Sequence, residues 1–294
     1  MRILISGILS RTHPHHIMSN KSSIKPHNLC KSTNVSTEEV WLQVRDHAQE
    51  IADSEPQLTA LLYDVVLNRA SLGEALAARL SRKLSREEMN REELTPLLAD
   101  IFVNQPRVTQ SAAADMMAIF ERDAACKSPL EPMIFFKGFM AITTYRIAHH
   151  LWHNDRKPLA LYFQSICSEV FGVDIHPAAK IGCGLLLDHA TGVVIGETAI
   201  VEDNVSILHE VTLGGTGKIS GNRHPVVRSG VMIGAGSKIL GRVEIGRCAK
   251  VGAGSVVLTD VPEHVTVAGV PAKIRGKANT PALDMNQCFE SGLI

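Results

Sequence analysis

From Ile175 onward an aliphatic residue returns at every sixth position: Ile175, Ile181, Leu187, Val193, Ala199, Val205 and Val211, with Ala199 the one short side chain. After an interruption the beat resumes at Val227, Ile233, Ile239, Ile245, Val251 and Val257. Glycine often follows the aliphatic, as at Gly182, Gly234, Gly246 and Gly252. A six-residue period of this kind marks a parallel β-helix, in which short strands wind into stacked coils and the recurring aliphatics fill the centre. Val211 and Val227 are sixteen residues apart, where two hexads need about twelve, so about four residues must leave the coil as a loop. That loop, Gly214 to Pro225, is glycine-rich and polar and carries Lys218, Arg223 and His224. Loops projecting from a rigid scaffold are where function concentrates.

Before the coil, from Ser36 to about Phe171, the apolar spacing is helical. Ser-x-x-Glu capping boxes at Ser36, Ser71 and Ser85 mark three helix starts. The spacing predicts further helices over about 57–69, 72–83, 86–101, 108–122, 133–153 and 157–170. The domain plan is therefore a helical unit over 36–171, a β-helix over 172–275 and a flexible tail over 276–294. Residues 1–35 are set apart. The first 37 residues hold no Asp or Glu, five Lys or Arg and many Ser, a composition that suits a transit peptide or a disordered extension, with Met18 an alternative start.

Thirty acidic residues balance thirty basic ones, which gives no bulk attraction to nucleic acid or an anionic membrane. No apolar run approaches the ~20 residues of a membrane span. The six cysteines show no C-x-x-C spacing and read as reduced thiols of a cytoplasmic protein, or of an organelle if the first 35 residues are a transit peptide.

One stretch breaks the apolar logic of the coil: LLLDHATGVVIG, residues 185–196. Burying a carboxylate or an imidazole without a partner is costly, so Asp188 and His189 must face water, a partner or a substrate.

With VDIHPAAKIG (173–182), LDHATGVVIGETA (187–199), VTLGGTGK (211–218), NRHP (222–225) and AGVPAK (268–273), the chain resembles serine O-acetyltransferase over roughly Ser36 to Lys277. AGVPAK and the hexads alone indicate only the wider hexapeptide acyltransferase superfamily; LDHATG, VDIHPAAK and the RHP loop are more specific. The resemblance implies a helical domain followed by a left-handed β-helix, assembled as a homohexamer, a dimer of trimers with active sites between neighbouring coils. It implies acetyl transfer from acetyl-CoA to the L-serine hydroxyl, giving O-acetyl-L-serine for cysteine biosynthesis, with no metal.

By the same resemblance His189 is the general base and Asp174 its orienting partner. A serine hydroxyl is a poor nucleophile while protonated, and an imidazole with a pKa of about 6.5 suits its activation. Fifteen residues separate the two, close to one lap of about 18 in a three-sided coil, so contact is feasible, though spacing alone does not establish it. Arg223 offers a fork to the serine carboxylate, with His224 beside it. Asp188 and Asp123 can pair with the ammonium; Asp123 lies in ERDAAC, where Ala124 replaces the proline of the family's usual RDPA. Gly214, Gly215 and Thr216 would steady the oxyanion, and Ala235, Gly236, Lys250 and Lys273 would line the donor's pantetheine and phosphate groove. L-cysteine should act as a feedback inhibitor at the serine pocket. The C-terminal peptide ending in Ile294, with acidic Glu290, should dock into O-acetylserine sulfhydrylase.

Two other readings share the coil. A β-helical carbonic anhydrase would bind zinc through histidines drawn from His176, His189, His209 and His224, but leaves the helical half unexplained. A sugar or antibiotic acetyltransferase is disfavoured by the RHP loop and Asp123.

Overall fold

The structure, a computed structural model, describes residues 36–217 and 220–285. The expectations for residues 1–35, for Lys218 and for the Leu293-Ile294 end lie outside these residues.

The chain begins with helices. α1 (Thr37–Ser54) starts where Ser36 accepts from the Glu39 amide, and α3 (Leu72–Leu84) where Ser71 accepts from that of Glu74. Between them runs α2 (Pro56–Leu62), which continues as a π-turn over Tyr63–Leu67. The third capping box does not form. Ser85 is extended (φ −61°, ψ 139°) and ends α3, whereas Asn90 and Glu93 cap one another's amides to start α4 (Arg91–Asn104) five residues later than predicted. α5 (Pro106–Arg122) follows. The long helix expected over 133–153 is two, α6 (Leu130–Phe135) and α7 (Lys137–His153), because Phe136 takes an extended conformation between them. α8 (Lys157–Phe171) leads into the coil through the left-handed Gly172.

The coil has three faces of stacked parallel strands. Face A holds β1 (Val173–Ile175), β4 (Val193–Ile195), β7 (Thr212–Gly214), β10 (Lys238–Leu240) and β13 (Val256–Val257). Face B holds β2 (Lys180–Ile181), β5 (Ile200–Val201), β8 (Val226–Val227) and β11 (Glu244–Ile245). Face C holds β3 (Leu186–Leu187), β6 (Ser206–Ile207), β9 (Met232–Ile233), β12 (Lys250–Val251) and β14 (Val265–Ala268); β15 (Lys273–Lys277) folds back antiparallel on β14. Inside, identical positions stack: Ile175 on Ile195, then Leu213, Ile239 and Val257, none more than 2% exposed. Each such side chain contributes about 1.5–3 kcal/mol on burial.

The register departs from the predicted ladder. Leu187 stacks on Ile207, and Ile175 on Ile195, each twenty positions on, whereas later turns advance by eighteen, as Val227 to Ile245. The first lap thus carries two extra residues, placed at the corner after Leu187. Past it the stacked residues are Ile195, Val201, Ile207 and Leu213, two positions beyond the expected Val193, Ala199, Val205 and Val211, which are buried too. The later loop is also longer: Val201 pairs with Val227, 26 positions on, so eight residues leave the coil rather than four.

The helices seat on the first lap. Arg146 bridges the buried Asp115 at 2.6 Å and donates to the Gly182 carbonyl, while Asp115 accepts from the Leu185 amide. Gly138 at the start of α7 lies so close to the Leu187 carbonyl that a Cβ would stand 2.0 Å from it. The segment predicted as a free tail begins packed. β15 reaches Lys277, and a short α9 (Pro281–Asp284) buries Ala282, whose carbonyl accepts from Ser206 Oγ. Ser206 Oγ in turn accepts from Arg122 of α5. No helix among the described residues is long and apolar enough to cross a membrane.

Candidate active site

The two extra residues of the first lap shape the corner between β3 and β4. His189 (φ 54°) and Ala190 (φ 58°) are both left-handed, a conformation that costs non-glycine residues roughly 1–2 kcal/mol each. The turn presents His189 with its side chain 77% exposed and Nε2 3.8 Å from Asp188 Oδ1. Asp123, which caps the C-terminus of α5, faces the same cleft of about 290 Å³, lined also by Phe135, Phe136 and Lys137. The Asp123 carboxylate accepts from the Ala125 amide, so the missing proline at 124 does not free it. Burial raises the Asp188 carboxyl above its ordinary range and the neighbouring Asp123 charge adds to this, against the opposing effect of His189 and His209. Two carboxylates and an imidazole thus converge on one cleft, a set suited to holding an ammonium beside a hydroxyl that must lose its proton.

Arg223 and His224 sit at a different corner, where face A meets face B. The His224 ring lies over Gly196, where a Cβ would be 2.0 Å from its Cδ2, and Nδ1 is 2.9 Å from Thr198 Oγ1. Burial lowers its pKa, with Arg223 adding to the effect. Arg223 Nη2 is 2.8 Å from Glu197 Oε2. Asp174, pointing outward from β1, accepts from Gln164 Nε2 of α8 at 2.6 Å, and its charge falls on His176.

Register therefore does not bring Asp174 and His189 together within one chain, although the spacing made contact feasible. Fifteen residues fall five short of the twenty-residue first lap, which leaves His189 on one margin of face A and Asp174 mid-face, paired with Val194 and two residues short of His176 on the other margin. The same margins divide the four histidines of the zinc reading, with His176 and His224 on one and His189 and His209 on the other.

The donor residues divide likewise. Register along face C stacks His209, Ala235 and Ala253 in one column, with Glu210, Gly236 and Gly254 as its left-handed partners; Thr191 and Gly192 head that column, and His189, on the two-residue excess, packs its ring against His209. Two rings thus give way to two methyls, and Ala235 and Gly236 follow His209 along this column. Gly214 and Gly215 lie on the opposite margin, where a Cβ on Gly215 would meet Arg223 at 3.2 Å, and Thr216 follows them. Lys250 is 7% exposed on face C, outside that column, and Lys273 is exposed on β15.

Three residues have no role in the serine reading of the sequence, His209 entering only as a zinc ligand in the rival one. His209 packs edge-on to His189, ring centroids 5.9 Å apart, with Nδ1 buried and unpartnered; its only signal was a position one lap beyond His189. Glu197 lies in LDHATGVVIGETA (187–199), which gives it no role, and Lys137 belongs to no motif.

The serine acetyltransferase N-terminal family model matches residues 40–144, and the bacterial hexapeptide transferase model matches 224–259. A curated serine acetyltransferase from Haemophilus influenzae is 51% identical over 255 residues, 86% of this chain and 96% of its own. The chain belongs to the serine acetyltransferase family. A solved serine acetyltransferase in complex with cysteine superposes with TM-score 0.85 at 49% identity, covering 86% of this chain and all of that one. One from Brucella abortus in complex with coenzyme A gives 0.81 at 48%, covering 82% of this chain and 97% of that one. On this coil the candidate residues form two half-sets: Asp123, Asp188 and His189 at one margin of face A, Arg223 and His224 at the other.

Proposed function

We propose that this chain transfers acetyl from acetyl-CoA to the hydroxyl of L-serine, giving O-acetyl-L-serine for cysteine biosynthesis, with His189 as general base. The observation that carries this reading is the convergence of Asp123, Asp188 and His189 on one cleft. Asp123 and Asp188 hold the ammonium. His189 takes the hydroxyl proton as serine Oγ attacks the thioester carbonyl, and the oxyanion collapses with loss of the coenzyme A thiolate. The imidazolium then returns its proton to that sulfur, which leaves the base neutral.

The separation of the two half-sets supports a site shared between neighbouring coils of a homohexamer built from two trimers. The base margin of one coil then faces the Arg223 and His224 margin of the next. Asp174 there orients the neighbour's imidazole, and Arg223 grips the serine carboxylate. The relatives with cysteine and with coenzyme A bound support L-cysteine as a feedback inhibitor of the serine pocket and acetyl-CoA as the donor. The donor lies along Ala235 and Gly236. We place the enzyme in the cytoplasm, where Cys126, Cys167 and Cys183 stay reduced.

The test is loss of acetyl-CoA on adding L-serine, set against other hydroxyl acceptors. Consumption with serine alone, inhibited by L-cysteine competitively with serine, is the expected result. Equal consumption with a sugar or aminoglycoside hydroxyl, or none with serine, would overturn the reading.

A further inference from the structure

The corner that carries His189 is built from disfavoured backbone, with two consecutive left-handed non-glycine residues, a conformation that persists only where its surroundings over-determine it. The imidazole, largely exposed, does not anchor it. Two of its hydrogen bonds are internal, from the Ala190 amide to Asp188 O and from the Thr191 amide to His189 O. From outside, the next turn of the coil bonds the backbone at each end, the Asp188 amide donating to the Ile207 carbonyl and the Glu210 amide to the Thr191 carbonyl, and the start of α7 adds a second hold. Gly138 rests on the Leu187 carbonyl at one end of the corner, a contact that no other residue type permits. At the other end the Lys137 ammonium donates to Thr191 Oγ1. Two adjacent residues of one rigid helix thus hold both ends of the five-residue span Leu187–Thr191.

We propose that Lys137 is a positioning residue for the reaction: through Thr191 it fixes where the His189 imidazole stands over the cleft. This rests on the reading of His189 as the base. Lys137 also lines the cleft, but its ammonium is engaged with Thr191. A base displaced by about 1 Å can lose on the order of 10²-fold in rate, so the grip acts on turnover rather than on substrate affinity.

The experiment compares Lys137→Met, Thr191→Val, Thr191→Ser and the Lys137→Met/Thr191→Val double variant in the full-length enzyme, with His189→Ala alongside. Thr191 is exposed, and Val keeps its shape while removing the hydroxyl, so the fold is retained; an unchanged thermal midpoint checks this. We expect Thr191→Val and Lys137→Met to lower kcat by roughly 10- to 100-fold with KM for serine within about twofold. Thr191→Ser should restore turnover, and the double variant should be no worse than either single one, as for two ends of one bond. Wild-type kcat in Thr191→Val beside an inactive His189→Ala would overturn the positioning role alone. So would a Thr191→Ser as impaired as Thr191→Val, multiplicative losses in the double variant, or a raised serine KM at unchanged kcat in Lys137→Met. An active His189→Ala would instead remove the base reading on which the proposal stands.

Discussion

Glu197 holds Arg223: its Oε2 lies 2.8 Å from the guanidinium Nη2, and the hydrogen bond from Arg223 keeps the Glu197 carboxyl below its ordinary range. Left loose on an eight-residue excursion, Arg223 would have many ways to point. Glu197→Gln keeps the shape and removes the charge. We expect KM for serine to rise roughly tenfold, the low end for a charge-assisted bond because both partners are partly exposed, with kcat little changed. Steady-state kinetics with serine varied at saturating acetyl-CoA check this. An unchanged KM would show that Arg223 needs no brace.

His189→Ala should lower turnover by roughly 10²–10⁴, the usual span for general base catalysis, with the fold retained. Asp174→Asn should also be impaired, because an amide cannot stabilise the imidazolium that forms. Near wild-type turnover in the alanine variant would end the assignment of His189.

Serine binding should weaken on the acid side earlier than an ordinary carboxylate would allow. Burial raises the Asp188 pKa, so as pH falls Asp188 takes up its proton above the usual carboxylate range and stops attracting the ammonium. Glu197, shifted the other way, remains ionised and keeps Arg223 in place over the same interval. The pH dependence of KM for serine, followed downward from neutrality, should therefore show one acid-side rise, retained in Glu197→Gln. A KM flat to the ordinary carboxylate range would contradict this.

Removing Leu293 and Ile294 should leave acetyl transfer intact and abolish co-elution with the O-acetylserine sulfhydrylase of the same organism. The packed segment through α9 is untouched by this truncation, so the coil keeps its seating. Persistent co-elution would place the contact elsewhere.

Much of the fold was legible because a six-residue period has few other physical meanings, and because Ser36 and Ser71 cap their helices through local backbone geometry alone. Ser85 misled because the same local pattern also fits the end of α3; what decides there is the reciprocal pair Asn90 and Glu93. The two-residue excess after Leu187 was invisible for a different reason. The inward position two residues before each stacked aliphatic also takes a small apolar side chain, as at Val193 and Ala199, so a ladder drawn through either row looks unbroken. That slip hid the division of the site, since lap length decides which margin a residue occupies. Asp188 and His189 could be found because they interrupt an apolar run. Glu197 and Lys137 could not, because each acts on a neighbour fixed by the fold.

The placement of the base and Arg223 on opposite margins of one face has a genetic consequence. If each site takes one margin from each of two neighbours, His189→Ala and Arg223→Ala chains are each inactive alone yet damaged in different halves. Refolded together in equal amounts, about a quarter of their sites inherit both sound margins, and activity should return to that fraction of wild type, where two self-contained sites would stay silent.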